Sequence, residues 1–353
     1  MLIINDFFKR YNEAVSNQME AALRALGGKI VTATRFLGQK ALQEEDINDG
    51  IYVYDPDQFD EMMAREVLFG DENQILVFEE EPCEFKREVF NKSGKDVFVA
   101  MYRKPYDEYI EHLKGYKNLK KIFVELDSHR QILLKAGFQK QDVVVTPTPA
   151  KIKREKSLKK YDKNNVNLVF ASWNNTDEID TTQIRGLNYV VDCIEKYPNM
   201  NLTVVLRDDR TQKFWHYVES KNVQDKVKLL EIHSDADLLK AFDDSDFVIY
   251  FLQYQIVKDV PNSLIDGISR GKPILMTDVL SFSDYVIKHN IGKVFKPNDK
   301  IRNFAINKSE YEELSKNAFE YSRKHTIENY MNILKEHCGG CNELGDNNTL
   351  ANK

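Results

Sequence analysis

Residues 246–278 read DFVIYFLQYQIVKDVPNSLIDGISRGKPILMTD. Asp246–Phe251 is an apolar run of strand length, and Pro273–Met276 is a second one. Between them Pro261 and Asn262 introduce a short helix over Ser263–Ser269, and Gly271-Lys272-Pro273 turns the chain back. Strand, loop, helix and strand in that order predict parallel pairing. In such sheets ligands bind beyond the carboxyl ends of the strands, where a helix start offers unpaired N–H groups and a dipole that attracts phosphate. The loop 252–262 is therefore the first place to look for a site.

The same alternation extends in both directions. Before it come the strand candidates Asn167–Ala171, Leu202–Leu206 and Lys228–Ile232, with helices over Leu187–Lys196 and Leu238–Phe242. After it come a helix over Ser283–His289, the strand Lys293–Phe295 and a long charged helical stretch, Lys308 to His337. The first half repeats the scheme with strands Leu2–Asn5, Lys29–Thr34, Ile51–Tyr54, Ile75–Phe78, Val97–Met101, Lys121–Val124 and Val143–Thr146. There a helix is expected from a cap at Ser128 to Gly137. A chain of 353 residues exceeds one ordinary core. The expectation is an α/β protein with two Rossmann-like, doubly wound parallel-sheet domains. The expected boundaries are 1–150, a basic linker over 151–165, a second domain over 166–320, and a C-terminal helix with a tail over 321–353.

Composition excludes several classes. A 42% hydrophobic and 30% charged chain is that of an ordinary folded protein. No run long enough to span a bilayer appears, and the start lacks a basic and apolar leader, so a cytoplasmic location is expected. Four scattered cysteines make no disulfide framework. A net charge of −6 argues against nucleic-acid binding. Against that acidic background the segment KIKREKSLKKYDK, residues 151–163, carries seven Lys or Arg and two acids. It reads as a solvated linker, with peripheral contact at the inner face of a membrane, or with an acidic acceptor, as the alternative.

Two segments carry a resemblance. PNSLIDGISRGKPILMTD, residues 261–278, is similar to the donor-binding signature of glycosyltransferase family 4, and TTQIRGLNYVVDCIEKYPNMNLTVVL, residues 181–206, is similar to that family's Lys-Gly turn, helix and strand. KKIFVELDSHRQILLKAGFQKQDVVVTPTP, residues 120–149, resembles its last N-domain unit. The resemblance implies the GT-B fold, with two domains facing a cleft and a C-terminal helix crossing back. It also implies a metal-independent hexosyltransferase that moves a sugar from a nucleoside-diphosphate sugar to a hydroxyl of a glycan, lipid-linked or protein-linked acceptor, with retention and no cofactor beyond the donor. By the same resemblance Asp266 falls where an acid holds the ribose, the N–H groups from Asn262 through Ser263 to Leu264 face the diphosphate, and His233 lies beside the nucleobase. Arg185 takes the position of a lysine that balances charge on the departing diphosphate.

The chain departs from the family pattern at several positions. The leading acid falls on Lys258, leaving the neighbouring Asp259 as its substitute at the sugar. Ser172 and Trp173 stand where a basic residue is usual, so the diphosphate rests on Arg185. The first loop, residues 5–12, has no glycine, and the mid-domain histidine is missing. In its place VFVAMYRKPYDEY, residues 97–109, offers Tyr102, Arg103 and Lys104 as an acceptor-side surface, or an ordinary turn. Glu79, Glu80 and Glu81 read as solvated charges, with acceptor contacts or a base as the alternative. Asp208-Asp209, Asp243-Asp244 and Cys338-Gly-Gly-Cys341 lack the converging ligands a metal needs, and no metal site is expected. Two rival functions remain open: a catalytically inactive GT-B partner subunit of an active transferase, and a sugar-nucleotide epimerase.

Overall fold

The computed structural model describes residues 1–6, 14–33, 49–79, 81–171, 181–206, 212–231, 234–255, 258–297 and 306–339. The chain forms two compact units, residues 1–147 with 327–353, and residues 148–326.

In the first unit seven parallel strands run in the order β3-β2-β1-β4-β5-β6-β7. They are β1 (Leu2–Asn5), β2 (Lys29–Ala33), β3 (Ile51–Tyr54), β4 (Gln74–Glu79), β5 (Asp96–Met101), β6 (Leu119–Val124) and β7 (Val143–Val145). Their side chains alternate between two cores, as a period of two requires. Leu2, Ile4, Ile75, Val77, Val97 and Val99 pack on one face, and Ile3, Leu76, Phe78 and Phe98 on the other. Strands buried on both faces explain why they read as unbroken apolar runs. The described helices are α1 (Ala14–Leu26), α2 (Pro56–Phe69), α3 (Glu84–Ser93), α4 (Asp107–Lys114) and α5 (Asp127–Lys135). Gly27 and Gly28 end α1 with φ of 69° and 97°, and a Cβ on Gly28 would sit 1.9 Å from the carbonyl oxygen of Met1. Only glycine fits there. The helix expected from Ser128 begins instead after Leu126, which makes no side-chain cap.

The second unit has six parallel strands in the order β10-β9-β8-β11-β12-β13. These are β8 (Val166–Ala171), β9 (Met200–Leu206), β10 (Val227–Glu231), β11 (Phe247–Tyr250), β12 (Ile274–Thr277) and β13 (Gly292–Phe295). Its helices are the single turn α6 (Thr181–Ile184), then α7 (Leu187–Lys196), α8 (Gln212–Ser220), α9 (Asp235–Asp243), α10 (Asn262–Ser269), α11 (Phe282–Lys288) and α12 (Lys308–Tyr321). Helix α10 lies so close to β11 that a Cβ on Gly267 would meet Val248 Cγ1 at 2.6 Å.

Two sequence expectations change here. The stretch from Lys308 to His337 is two helices, not one: α12 ends in a 3-10 turn at Ser322–Lys324, and α13 (Ile327–Cys338) belongs to the first unit. There Tyr330, Leu334 and Cys338 pack with Ile3 and Leu76. Leu334 is fully buried, which stabilises the unit by about 1.5–3 kcal/mol. The basic segment read as a solvated linker is hydrogen bonded into the second unit: Glu155 N–H donates to Ser269 O at 3.1 Å and Ser157 N–H to Arg270 O at 3.1 Å. Arg154 donates through Nη2 to Phe319 O at 2.8 Å and lies over that ring at 3.8 Å.

Candidate functional site

In the second unit the strand order reverses between β8 and β11, which leaves a crevice at their carboxyl ends. Three segments are fastened around it. The turn between α6 and α7 carries Arg185 and Gly186, and Gly186 takes φ 73° because a Cβ would lie 2.0 Å from Phe251 O. Gln253 N–H donates to Ile184 O at 2.9 Å, so this turn is pinned to the chain leaving β11. Downstream, Thr277 Oγ1 donates to Leu252 O at 2.7 Å. The loop from β11 to α10 is thereby held from both neighbours.

Arg185 is 6% exposed, and its Nη1 lies 3.4 Å from the Tyr250 hydroxyl. Tyr250 is the last residue of β11, and its ring stacks on Phe170 of β8 at 5.9 Å. The guanidinium is therefore delivered to the reversal point by a turn whose backbone tolerates only glycine at its second residue. Tyr250 was missed in the sequence, where an aromatic at a strand end looked like core.

The start of α10 has an unusual polar inventory. Its cap is Pro261, which supplies no side-chain acceptor, and Leu264 N–H, expected to face the diphosphate, donates to Pro261 O at 3.1 Å. The Ser263-x-x-Asp266 spacing makes no capping box. Both side-chain polar atoms of Asn262 are buried from solvent and unpartnered, as is Oδ1 of Asn188 in the first turn of α7. Buried amides without partners cost about 1–3 kcal/mol each and are rare in finished cores. Leu264 is fully buried.

The two acids singled out from the sequence have structural bonds. Asp266 is 3% exposed, and its Oδ1 accepts N–H bonds from Lys151 at 2.7 Å and Ile152 at 3.3 Å. Asp259 is fully buried, and its Oδ1 accepts from Ser281 N–H at 2.9 Å, just before α11. Lys258 sits near His325, whose Nδ1–H donates to Thr148 O at 2.7 Å. Burial, aided by the charges of Lys324 and Lys258, lowers His325 from 6.5 to about 3. Its Nε2 has no partner. His233 lies outside the described residues, as do Ser172, Trp173, Asp208, Asp209, Glu80 and Cys341.

The acceptor-side residues of the first unit divide. Tyr102 is 4% exposed and stacked on Phe78 at 6.1 Å, so it is a core ring, not an exposed platform for a sugar. It follows β5 directly and keeps that strand's inward alternation. Arg103 pairs with Glu81, whose other oxygen accepts from the Tyr106 hydroxyl at 2.6 Å. Burial and that carboxylate raise Tyr106 to about 12. Lys104 is exposed. Glu79, expected in solvent, is fully buried. Its carboxylate accepts from Tyr109 at 3.3 Å, Tyr116 at 3.2 Å and His112 Nε2 at 3.1 Å. Among the paired aspartates, Asp243 is held by Arg270 through contacts of 2.8 and 2.9 Å. Among the described residues no group of three His, Cys, Asp or Glu converges on a metal position, and no helix is long and apolar enough to cross a membrane.

Comparison with known proteins places this geometry. Residues 182–321, which include the Arg185 turn and α10, match the family described as glycosyl transferases group 1. No curated protein sequence matches the chain. Among solved structures, HepE from Anabaena in complex with UDP and glucose superposes with a TM-score of 0.70 at 11% identity, over 96% of this chain and 98% of that one. WaaG, a glycosyltransferase involved in lipopolysaccharide biosynthesis, gives 0.65 at 13% identity over 96% and 100%. A glycosyltransferase from Rickettsia africae ESF-5 gives 0.66 at 14% identity over 96% and 98%. The chain therefore has the GT-B fold of these glycosyltransferases, and most of its second unit matches the group 1 family of sugar transferases.

Proposed function

We propose that this chain transfers a hexose from a nucleoside diphosphate to a hydroxyl of a glycan or lipid-linked acceptor, with retention and without a metal, in the manner of glycosyltransferase family 4. The observation that supports the proposal is a buried guanidinium, Arg185, on a turn bonded to the chain leaving β11, the strand that leads to a helix start without a side-chain cap and to the unpartnered amide of Asn262. An anion with several oxygens satisfies such a set. A diphosphate leaving group fits best, because Arg185 gains most as negative charge grows on the departing oxygen, an effect that supplies several kcal/mol in water-poor sites. With no histidine placed as a base among the described residues, the leaving phosphate oxygen would take the acceptor's proton on the same face of the sugar. A neighbour crystallised with UDP-glucose supports a uridine donor as the first to try.

Asp259 and Asp266 enter differently from the family pattern. Each has one oxygen engaged by backbone N–H groups, so each acts first to hold its loop, and any contact with sugar or ribose is made by a carboxylate already fixed in place. The same fact favours a second reading, a binding-competent but inactive partner subunit.

Thermal shift and NMR titration with UDP, GDP, ADP, CDP and dTDP test the site. At least one should stabilise the protein, and Arg185→Ala should weaken that binding tenfold or more, as loss of a charge-assisted contact of about 1.5–3 kcal/mol requires. No response to any nucleotide would remove the donor site. Slow release of free sugar from the matching sugar nucleotide separates the enzyme from the inactive partner, which binds without turnover.

A further inference from the structure

Residues 156–160 form a strap on the second unit whose side chains alternate. Ser157, Lys159 and Tyr161 turn inward and are anchored. Ser157 Oγ donates to Asp243 O at 3.3 Å and accepts from Lys272 Nζ at 3.0 Å. Lys159 Nζ pairs with Asp246 Oδ2 at 2.8 Å. Tyr161 donates to Ile306 O at 2.9 Å and stacks on Tyr311 at 4.3 Å. The three residues between and beside them, Lys156, Leu158 and Lys160, face outward and are exposed. Leu158 is 96% exposed and has an exposed lysine two residues away on each side. The strap also walls an open cavity of 240 Å³ lined by Lys156, Lys160 and Lys308, with one acid, Glu312, whose Oε1 lies 3.8 Å from Lys308 Nζ.

A leucine held rigidly outward between two lysines is suited to a surface that is anionic at its face and apolar just below it. The chain as a whole carries a net charge of −6, so this cationic face is local and would orient the protein. We propose that the strap seats the second unit on an anionic lipid surface, with Leu158 passing beneath the headgroups and Lys156 and Lys160 pairing with their phosphates. Lys308 and the adjoining cavity offer room for one headgroup. The proposal stands on the strap alone and is independent of whether the donor site binds nucleotide.

Sedimentation with vesicles of phosphatidylcholine, with and without about a third of phosphatidylglycerol, tests it on the full chain without nucleotide. Binding should require the anionic lipid and weaken as salt rises. Lys156→Glu with Lys160→Glu should reduce it about thirtyfold or more, since each lysine near such a surface contributes about fivefold. Leu158→Ser should reduce it about tenfold. Melting temperatures and far-ultraviolet circular dichroism near wild type would show that the variants fold. Equal binding to both vesicle types, or binding indifferent to the charge reversals, would overturn the proposal. So would full competition by millimolar inorganic phosphate with no effect of Leu158→Ser, which would reveal a site for small anions only.

Discussion

The two units have the same kind of sheet with the same reversal of strand order, between β1 and β4 in one and β8 and β11 in the other, yet they finish that point in opposite ways. In the first unit the described polar groups beside the reversal bond to one another. Asn5 Nδ2 donates to Phe78 O at 2.7 Å, and the buried Glu79 next to it collects two tyrosine hydroxyls and a histidine nitrogen from α4 and the residues after it. Burial and the neighbouring carboxylate push Tyr109 and Tyr116 well above their ordinary 10.0, so both remain donors. In the second unit the described residues beside the reversal include a proline-capped helix start and an amide that has no partner. A satisfied buried network stabilises its fold, whereas polar groups kept waiting in a crevice cost stability and are retained for a ligand.

The sharpest way to break the contrast is to cut both sides. Glu79→Ala should destabilise the protein by about 2–4 kcal/mol in denaturant melts, because it strands the Tyr116 hydroxyl and the His112 imidazole in the core of the first unit, while Tyr109 keeps its bond to the backbone carbonyl of residue 79. A loss under 1 kcal/mol would mean that water already serves those groups. Acid should find a second weak point, in the second unit. His325 titrates at about 3 in the folded chain against 6.5 when unfolded. Between those values the unfolded state binds the extra proton, so stability is complete above pH 6.5 and is lost as pH falls toward 3. From pH 6.5 to 5 the loss should be about 2 kcal/mol, and His325→Phe should flatten that limb while losing about 1 kcal/mol for the bond to Thr148. Parallel pH profiles of the two proteins would disprove this assignment. The smallest effect has the opposite sign: Asn262→Ala should raise stability by up to about 1 kcal/mol while weakening nucleotide binding. If it lowers stability instead, the amide has a structural partner and the second reversal is not a waiting site.

Much of the architecture was legible because strands buried on two faces are written as apolar runs and because Gly28 and Gly186 mark turns where no other residue fits. The Arg185 turn and the start of α10 were legible for the same reason. Other features were hidden by partners distant in sequence. The inward residues of the strap, Ser157 and Lys159, are polar, so its alternation looked like a solvated charge run until Asp246 and Lys272 came to meet it. Glu79 looked like one of three solvated acids. Its partners at positions 109, 112 and 116 do have helical spacing, and that pattern of donors could have pointed to it. Tyr102 was misread because Arg103 and Lys104 follow it.

The return of α13 to the first unit has a consequence for how the protein is made. Residues 148–326 leave the ribosome as a continuous stretch and can fold as soon as they emerge. The first unit, though begun earlier, has to wait: the surface formed by Ile3, Leu76 and their neighbours stays open until Tyr330, Leu334 and Cys338 arrive to cover it. The half synthesised first is thus completed last, and for most of translation its exposed apolar face is where a chaperone, or an unwanted association, would act.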